Sequence, residues 1–445
     1  MVNFKTHFIH VGNMNNKGTQ ALFASDVAIV KEIVDGASAS VSTSDIPGVT
    51  KMKLPLTHIL PPMVDIPYDK ADQICKSRGY GRSSLYYKGL SLAILMLMPV
   101  QMVFSLFSVM LSRMGLKPLY RTEVVEQMKN SNLVISHSDE NFKETASQLP
   151  LNPYWAVTWW SLLLSRTMDI VVARSLGKPV VLFPNSVGPF RTWIGRLLVR
   201  LSLNSCDYLL IRDPISYGIV DNLGIKTSKI LTYDTALLFD EFGQTAEELN
   251  DFSQPLIGVS AGVYSNSISK GNVENYIEAH AKALDEAIEN QGVRVVFLPH
   301  YISGFSNDDL DVSKLILEKM KNKRKARIIE TDNVAEFRLL LNQMDLVISS
   351  KMHPAILAAS GYVPTVCIVY DHKQTGFFQR LGMAECTLGI GEVCAEGLSS
   401  KICRTWEQKA SLGESLKLQI PRWQSNLRRV LRGVVSSYVD EGGNA

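Results

Sequence analysis

The sequence lacks the cysteine patterns of disulfide-rich and zinc-binding proteins. Its 445 residues include six cysteines, and no two of them form a Cys-x-x-Cys pair. A chain of this length can bury a hydrophobic core without disulfides, and scattered cysteines usually pack as small apolar side chains. A carboxylate cluster with metal-ligand spacing is also missing. We therefore expect no disulfide framework, no metal site and no cofactor.

An excess of charge of one sign is missing as well. The 46 Lys and Arg residues nearly balance the 43 Asp and Glu residues, which argues against a nucleic-acid-binding surface or a disordered acidic tail. The dense basic run Lys319–Arg327 contains no aromatic residues for base stacking, so we interpret it as the solvated end of a helix. The opening "VNFKTHFIHVGN" predicts a strand and no signal segment, which indicates a cytoplasmic protein.

Short apolar runs alternate with longer helical patterns, as in βαβ units around parallel sheets. The polar stretch Asp240–Gln254 interrupts this rhythm. We predict an α/β protein with two Rossmann-like domains, residues 1–245 and 250–404, facing a cleft. Residues 405–445 are predicted to form a C-terminal helical tail after the last strand. The expected strands are Phe4–His10, Leu133–Ser136, Pro179–Phe183, Tyr208–Ile211, Leu256–Ser260, Val293–Leu298, Ala326–Ile329, Leu346–Ser349 and Val363–Val369.

An apolar helical insertion, at about residues 85–118, breaks the pattern of the first domain. Its centre, Leu90–Leu111, has 22 residues and no charge, which is just long enough to span a bilayer. If this segment spanned the membrane, the first βα unit would lie on the opposite side of the membrane from the rest of its sheet. We therefore reject a membrane span. From Pro99 onward, polar residues recur at steps of four, three and four and form one narrow stripe. They are Gln101, Ser105, Ser108 and Ser112.

Two interpretations of this insertion stay open. It is either a buried core hairpin or a membrane-dipping helix with cationic flanks for anionic lipid. We favour the membrane-dipping helix narrowly, because an α/β sheet has little need for so large an uncharged insertion. Peripheral contact with the membrane through Leu90–Leu111 is therefore predicted.

Candidate binding residues follow the first predicted strand in "GNMNNKG". Gly12 and Gly18 permit close approach of the backbone, and the helix that starts there offers free N–H donors to an anion. Asn13 and Asn16 lie between them. A plain tight turn between strand and helix explains the same pattern equally well.

Polar residues also follow later strands, where open α/β sheets bind ligands. Asp213, with Pro214 behind it, is predicted to cap a helix, while Arg212 is free to meet an anion. A single histidine is more often structural than functional, but here several cationic or titratable residues share the same placement. The candidates after strands are Ser186, Gly188, Arg212, His300, Ser350, Lys351, His353 and Lys373.

Five stretches together resemble the polysaccharide pyruvyl transferase family. They are "GNMNNKGTQA", "GKPVVLFPNSVGPF", "LLIRDPIS", "YDTALLF" and "SSKMHPAILAASGYVPTVCIVYDHK". The similarity in order and spacing runs from about Asn3 to Leu381, with Tyr68–Tyr120 as an apparent insertion. The resemblance implies a fold similar to that of GT-B glycosyltransferases, in which a C-terminal helix crosses back to the first domain.

The resemblance also implies transfer of a pyruvyl group from phosphoenolpyruvate to sugar hydroxyls, usually forming a ketal in a surface polysaccharide. His353 is then the general acid, which suits a histidine that titrates near neutrality. Arg212 and Lys351 hold the donor's anionic groups. The family usually has arginine at the position of Lys351, so a point charge replaces a two-pronged contact here. The turn "SHSDEN", Ser136–Asn141, likewise replaces a glycine-rich one.

Two other functions stay open. On the same scaffold, a nucleotide-sugar-dependent glycosyltransferase would use Arg212 and Lys351 to bind a diphosphate. A non-catalytic, membrane-docked scaffold of a polysaccharide assembly complex would tolerate replacement of His353 and Arg212. The expected partner is a lipid-linked glycan acceptor at the inner face of the cell membrane, and no nucleic acid.

Overall fold

A computed structural model describes residues 4–66, 74–75, 77–80, 84–144, 153–240, 254–263, 270–302 and 308–439. Two parallel sheets lie on either side of the predicted linker, Asp240–Gln254, most of which falls outside these residues. The predicted α/β fold with two Rossmann-like halves is therefore confirmed. We call residues 4–240 the first half and residues 254–407 the second half, and the domain limits stay predictions.

The first half is built on seven parallel strands in the order β3-β2-β1-β4-β5-β6-β7. Strands β4 and β5 are buried along their whole length, because helices cover both faces of a parallel sheet. The strands are β1 (Lys5–Val11), β2 (Ser38–Thr43), β3 (His58–Leu60), β4 (Leu133–Ser136), β5 (Val180–Asn185), β6 (Tyr208–Ile211) and β7 (Ser228–Leu231). The helices are α1 (Lys17–Ile33), α2 (Ile46–Lys51), α3 (Leu85–Arg113), α4 (Thr122–Asn130), α5 (Pro153–Ser175), α6 (Trp193–Asn204) and α7 (Pro214–Asn222).

The second half repeats this plan with six parallel strands in the order β10-β9-β8-β11-β12-β13. Strands β4 and β11 both have the sequence Leu-Val-Ile-Ser and occupy equivalent places in their sheets. The strands are β8 (Leu256–Ser260), β9 (Arg294–Phe297), β10 (Ala326–Ile328), β11 (Leu346–Ser349), β12 (Thr365–Val369) and β13 (Thr387–Gly389). The helices are α8 (Lys270–Gln291), α9 (Asp309–Lys319), α10 (Val334–Asn342), α11 (Met352–Ser360), α12 (His372–Arg380) and α13 (Ala395–Glu407).

A last helix, α14 (Lys409–Ser436), lies against both halves. Leu416 and Ile420 belong to a hydrophobic cluster that consists mainly of second-half residues. Leu427 and Leu431, two and three turns further on, belong to a cluster around β1, β2 and α1 of the first half. One amphipathic helix therefore joins the two cores.

Helix α3 is the predicted apolar insertion, and its polar stripe faces the protein. Ser105, Ser108 and Ser112 are buried. The side chain of Gln101 accepts a hydrogen bond from the backbone N–H of Asp65 at 2.9 Å, and Ser108 accepts one from that of Tyr120 at 2.8 Å. The few polar groups of α3 thus anchor the helix to the first half.

Most of the apolar side of α3 is exposed or half-buried, although Met98 and Val109 are buried. Helix α3 is the one helix in the described part of the chain that is long and apolar enough to cross a membrane, and 22% of its most apolar 18 residues are buried. Strands β3 and β4, which precede and follow it, belong to the same sheet, so a single crossing would separate them. A core hairpin would bury the side chains that α3 exposes. They are Leu92, Met96, Leu97, Val100, Val103, Phe104, Leu106, Phe107 and Met110.

Candidate functional site

The carboxyl ends of the two sheets meet through the start of helix α1. Lys17, its first residue, is buried, and its Nζ donates hydrogen bonds to the carbonyl oxygens of Pro299 (3.1 Å) and His300 (3.3 Å) after β9. Asn16 and Tyr301 form a backbone bridge beside them. The turn after β1 is thus in direct contact with the second half, at the strand ends where α/β sheets bind ligands.

His353 belongs to the first turn of α11, and its side chain packs against Gly18 in the first turn of α1. Its side chain is buried, and a Cβ atom at Gly18 would overlap with its Nδ1. Glycine at position 18 therefore leaves the space that the imidazole occupies. The Nε2 atom has no hydrogen-bond partner, and the ring stacks on that of His300 with centroids 6.2 Å apart. Two helix N-termini and one unpartnered nitrogen are groups that could bind an anion.

Arg212, after β6, is held in a buried network. Its Nη1 forms an ion pair with Asp234 at 2.6 Å, and its Nε donates to Ser186 Oγ at 2.8 Å. Ser186 donates in turn to Asp213 at 2.9 Å. Asp213 also caps α7 by accepting from the backbone N–H of Ser216, which confirms the predicted cap. Arg212 is thus paired with Asp234, while its Nη2 has no hydrogen-bond partner, so the predicted contact of Arg212 with an anion stays a prediction.

Burial is the main reason why the imidazole of His353 is neutral at pH 7. Burial lowers its pKa, Asp234 and Asp139 raise it, and Arg212 and Lys373 lower it, so that the pKa is about 4. The expectation of titration near neutrality is therefore wrong for the site without ligand. Burial, together with Lys351, also holds the pKa of His300 well below its usual range.

Lys351 lies beside His300 and is paired with a carboxylate. Its Nζ is 2.9 Å from Asp309 Oδ1 and lies over the ring of Tyr301. The other oxygen of Asp309 accepts hydrogen bonds from the backbone N–H groups of His300 (3.2 Å) and Tyr301 (2.8 Å). A Cβ atom at Gly262 would overlap with Asp309. The ends of β8, β9 and β11 are thus tied together at this lysine.

Lys373 reaches across from α12 to the loop after β4. Its Nζ is 2.6 Å from Glu140 Oε2, which also contacts Lys143 at 2.7 Å. Burial opposes ionisation of Glu140, but the two lysines outweigh it and hold its pKa well below the usual range. The second carboxylate oxygen of Glu140 has no hydrogen-bond partner. This contact links the two halves next to His353, whose pKa Lys373 affects.

The other predicted residues of the first turn shape the backbone. A Cβ atom at Gly12 would lie 4.0 Å from Asp139 Oδ2, so Gly12 borders that carboxylate. Asn13 Oδ1 accepts a hydrogen bond from the N–H of Asn15 at 2.8 Å, and Asn16 Oδ1 caps α1. The alternative of a structural βα turn thus holds for both asparagines, whether or not they also bind a ligand.

Ser350 and Gly188 are placed differently. Ser350 Oγ accepts a hydrogen bond from the N–H of Gly262 at 2.7 Å, which joins β11 to β8 beneath Lys351. Gly188 has a φ of 83°, and a Cβ atom there would press on Ile219. Its nearest side chains therefore belong to the packing of α7, and not to the group around His353.

The acidic residues of the site were not predicted from the sequence. Asp139, Glu140, Asp234 and Asp309 pair with or face the predicted cations. Burial opposes ionisation of Asp139, but His137, Arg212 and His353 outweigh it and lower its pKa. Asp139 and Glu140 could have been found, because "SHSDEN" follows a strand just as the cationic residues do. In the described part of the chain, no group of three or more His, Cys, Asp or Glu residues could hold a metal ion.

A cavity of about 1030 Å³ lies on a different face of α1 from Gly18. Lys17 and Gln20 line it from α1, and Met52, Phe239 and Val334 line it from the surrounding elements. Its lining includes neither His353 nor Arg212, so it is a neighbouring compartment between the two halves and not the group of ionisable residues described above.

Replacing Gly18 by alanine tests the packing of His353. Alanine favours a helix over glycine by up to about 1 kcal/mol, but its Cβ would collide with the imidazole, and overpacking costs about 1–3 kcal/mol. We expect Gly18→Ala to lower the free energy of unfolding, measured by urea denaturation.

Gly433→Ala, in α14, is the matched control, because no heavy atom lies within 4 Å of its added Cβ. We expect it to be neutral or stabilising. Combining Gly18→Ala with His353→Ala should reduce the penalty in a double-mutant cycle, because it removes the ring atoms and leaves only the Cβ of residue 353, 2.8 Å from the added Cβ. Equal effects of Gly18→Ala in both backgrounds would contradict the proposed collision.

Comparison with known proteins places the chain in a family. A family model described as polysaccharide pyruvyl transferase matches residues 61–372, which include Arg212, Lys351 and His353. The amylovoran biosynthesis protein AmsJ of Erwinia amylovora is 25% identical over 283 residues, which cover 55% of this chain and 65% of that protein. The match thus spans less than two thirds of that relative's length.

Similar solved structures share the fold. A putative UDP-N-acetylglucosamine 2-epimerase from Listeria monocytogenes superposes with a TM-score of 0.60 at 12% identity, covering 99% of this chain and 97% of that one. Spinosyn forosaminyltransferase SpnP superposes with a TM-score of 0.50 at 13% identity, covering 97% and 99%. These likenesses confirm the predicted GT-B-like architecture and nothing finer. Because the family model covers most of the chain, the predicted family is confirmed: this protein belongs to the polysaccharide pyruvyl transferases.

Proposed function

We propose that this protein transfers a pyruvyl group from phosphoenolpyruvate to two hydroxyls of a sugar in a surface-polysaccharide precursor, forming a ketal. The observation that carries the proposal is that Nη2 of Arg212 and Nε2 of His353 both lack a hydrogen-bond partner, in two buried side chains close enough for Arg212 to lower the pKa of His353. Buried polar groups rarely stay unpaired. A small ligand with a phosphate and a carboxylate would satisfy both nitrogens and the first-turn N–H groups of α11.

Each residue then has a part in the reaction. His353 delivers a proton to the methylene carbon of the donor, and one sugar hydroxyl bonds to the adjacent carbon. Arg212, Lys351 and Lys373 stabilise the departing phosphate and the carboxylate. A second hydroxyl replaces the phosphate and closes the ketal. One of the two hydroxyl protons thus ends in the new methyl group, because the ionised Asp139 removes a proton as the base and His353 supplies one as the acid. The other hydroxyl proton leaves with the phosphate.

The low pKa of His353 makes donor binding dependent on pH. Without ligand the imidazole is neutral above a pH of about 4. The donor's negative charges raise this pKa, because nearby opposite charge favours the protonated form. The complex therefore holds a proton that the free protein lacks, and it holds this proton until the pH exceeds the pKa of His353 in the complex.

We expect the affinity for phosphoenolpyruvate to rise as pH falls from about 8 to 6, with net uptake of protons on binding. Isothermal titration calorimetry in buffers of different ionisation enthalpy measures the uptake. The donor's own phosphate also titrates near pH 6, so the comparison is with His353→Gln, in which the part due to His353 disappears. Identical proton counts for the two proteins would remove His353 from the proton transfer.

The donor itself is tested with label. Purified protein is incubated with labelled phosphoenolpyruvate, or with labelled nucleotide sugars, and a lipid-linked glycan extract. We expect label from phosphoenolpyruvate to appear in the glycan, and His353→Ala to slow incorporation about a hundredfold or more, the scale for losing a general acid. Label from a nucleotide sugar would instead establish the glycosyltransferase alternative.

Lys351 variants are the controls for this assay. Lys351→Ala should weaken donor binding severely, whereas Lys351→Arg, the family's usual residue, should bind at least as well as the wild type. Full incorporation by folded His353→Ala and Arg212→Ala variants would favour the non-catalytic scaffold.

The acceptor is proposed to be lipid-linked, with the protein docked on the cytoplasmic face of the membrane through α3. The exposed apolar side of α3 supports this, because a patch of that size on a soluble protein usually marks a partner or a membrane. The direction of its polar stripe supports it too. A surface helix of a soluble protein turns its polar face to water, whereas α3 turns its polar stripe to the first half and its apolar face outward. Lys88 and Arg113 on its flanks suit anionic headgroups.

Serine substitutions distinguish membrane contact from core packing in α3. Met96, Val103 and Phe107 are exposed by 71%, 66% and 41%. We expect the triple serine variant to keep its melting temperature and to lose flotation with liposomes. Val109→Ser is the matched control, because Val109 is buried and its loss should cost about 2 kcal/mol or more. Unfolding of the triple variant, or undiminished flotation, would contradict docking through α3.

A further inference from the structure

A second exposed apolar surface lies on helix α6. Trp193, Leu197 and Leu201 are exposed by 73%, 47% and 53% and recur at steps of four residues. At 100° per residue they lie on the side of α6 opposite to the buried Gly195 and Val199. A soluble helix carries polar side chains on that outer side. We call this surface the α6 stripe.

Arginines accompany the α6 stripe. Arg196 and Arg200 are exposed and lie one residue before Leu197 and Leu201, so they flank the stripe along one edge. Arg191 is exposed just before the helix. The chain has no acidic residue between Asp169 and Asp207.

The α6 stripe and α3 belong to the same side of the molecule. Val109 of α3, Leu163 of α5 and Val199 of α6 share one hydrophobic cluster on one face of the first sheet. Helix α5 contacts both α3 and α6. No acidic residue occurs from Gln73 to Thr122, and α5 carries one, the buried Asp169. The exposed acids on α4, Glu123 and Glu126, lie beyond this acid-free stretch.

We propose that the α6 stripe is a second membrane contact, which binds an anionic phospholipid surface and works together with α3. Glu144, which accepts hydrogen bonds from the backbone N–H groups of Arg191 and Thr192 at the start of α6, is buried. Exposed apolar side chains with flanking arginines and no exposed acid in the same stretch match the interior and the charge of such a surface. Trp193, at one end of the stripe, suits the headgroup level, where tryptophan is enriched. The inference rests on the proposed docking through α3 and extends it.

Two membrane contacts would fix the orientation of the first half on the membrane, which one contact leaves free. A molecule held by one helix can rotate about that helix on the membrane, whereas α3 and α6, with α5 between them, define a plane. The first half would then have one orientation relative to the bilayer, and the acceptor's sugar would meet the strand ends from a constant direction. Anionic lipid would strengthen the contact through α6 with no change in the apolar contact through α3.

Flotation with the full-length protein tests the proposal, in the absence of donor and acceptor. Vesicles of phosphatidylcholine alone are compared with vesicles containing phosphatidylcholine and phosphatidylglycerol in equal amounts. We expect stronger binding to the anionic vesicles. The double variant Arg196→Gln/Arg200→Gln should lose about fivefold in binding per arginine to anionic vesicles only. The double variant Trp193→Ser/Leu201→Ser should bind both vesicles less.

A charge-matched control comes from the second half. Lys323→Gln/Arg324→Gln removes two exposed cations from the basic run after α9, and we expect no loss of binding. An equal loss there would show non-specific attraction and overturn the proposal. Binding at the wild-type level by both α6 variants would also overturn the proposal.

Fluorescence distinguishes lipid from a protein partner. Brominated lipid should quench the wild type more than Trp193→Phe, because Trp193 would lie at headgroup depth. Equal quenching would contradict the lipid contact, and dimers in sedimentation that Leu197→Ser abolishes would assign the α6 stripe to a second copy of the chain. Incorporation of labelled donor is measured separately, so failure of the transferase proposal leaves the flotation result readable.

Discussion

The contact between the first turn of α1 and the strand ends of the second half is the constraint on which the site depends. Gly18 leaves room for His353, and Lys17 is buried against the carbonyl groups after β9. Burial lowers the pKa of Lys17 to about 8, against the opposing attraction of Asp309 and Asp332. A larger residue at position 18 would separate the two helix N-termini, and with them the N–H donors that an anion needs.

The ionisable residues of the site are largely neutralised among themselves. Arg212 has Asp234, Lys351 has Asp309, and Lys373 has Glu140. Uncompensated charges would be costly at this burial, whereas pairs are tolerated. The proposed anionic substrate would therefore compete with carboxylates that are already in place, and it would gain most at an N–H group that is still unpaired. For this reason the proposal depends on Nη2 of Arg212 more than on the number of cations.

Much of the fold could be predicted, because buried parallel strands give continuous apolar runs. Leu133–Ser136, Tyr208–Ile211, Leu256–Ser260 and Leu346–Ser349 were expected as strands and are strands. Strand β2 was missed, because Ser-Ala-Ser-Val-Ser-Thr has a buried but polar sequence, in which Ser40 and Ser42 hydrogen-bond to His7. In the candidate site, the positions of the cationic residues could be predicted, because these residues follow the ends of strands. Their carboxylate partners could not be paired from sequence, since Asp309 and Lys351 meet only through the packing of β9 beside β8.

The orientation of the apolar insertion could not be predicted from the sequence either. Its composition fits a core helix and a membrane-contacting helix equally, because periodicity tells which residues share a face and not which way the face points. The hydrogen bonds of Gln101, Ser105 and Ser108 decide the direction, and they turn the polar stripe toward the first half. Because the polar stripe, together with Met98 and Val109, faces the first half, the apolar side chains on the opposite side of α3 are left exposed. The exposed apolar area of this helix thus follows from the way in which it is anchored.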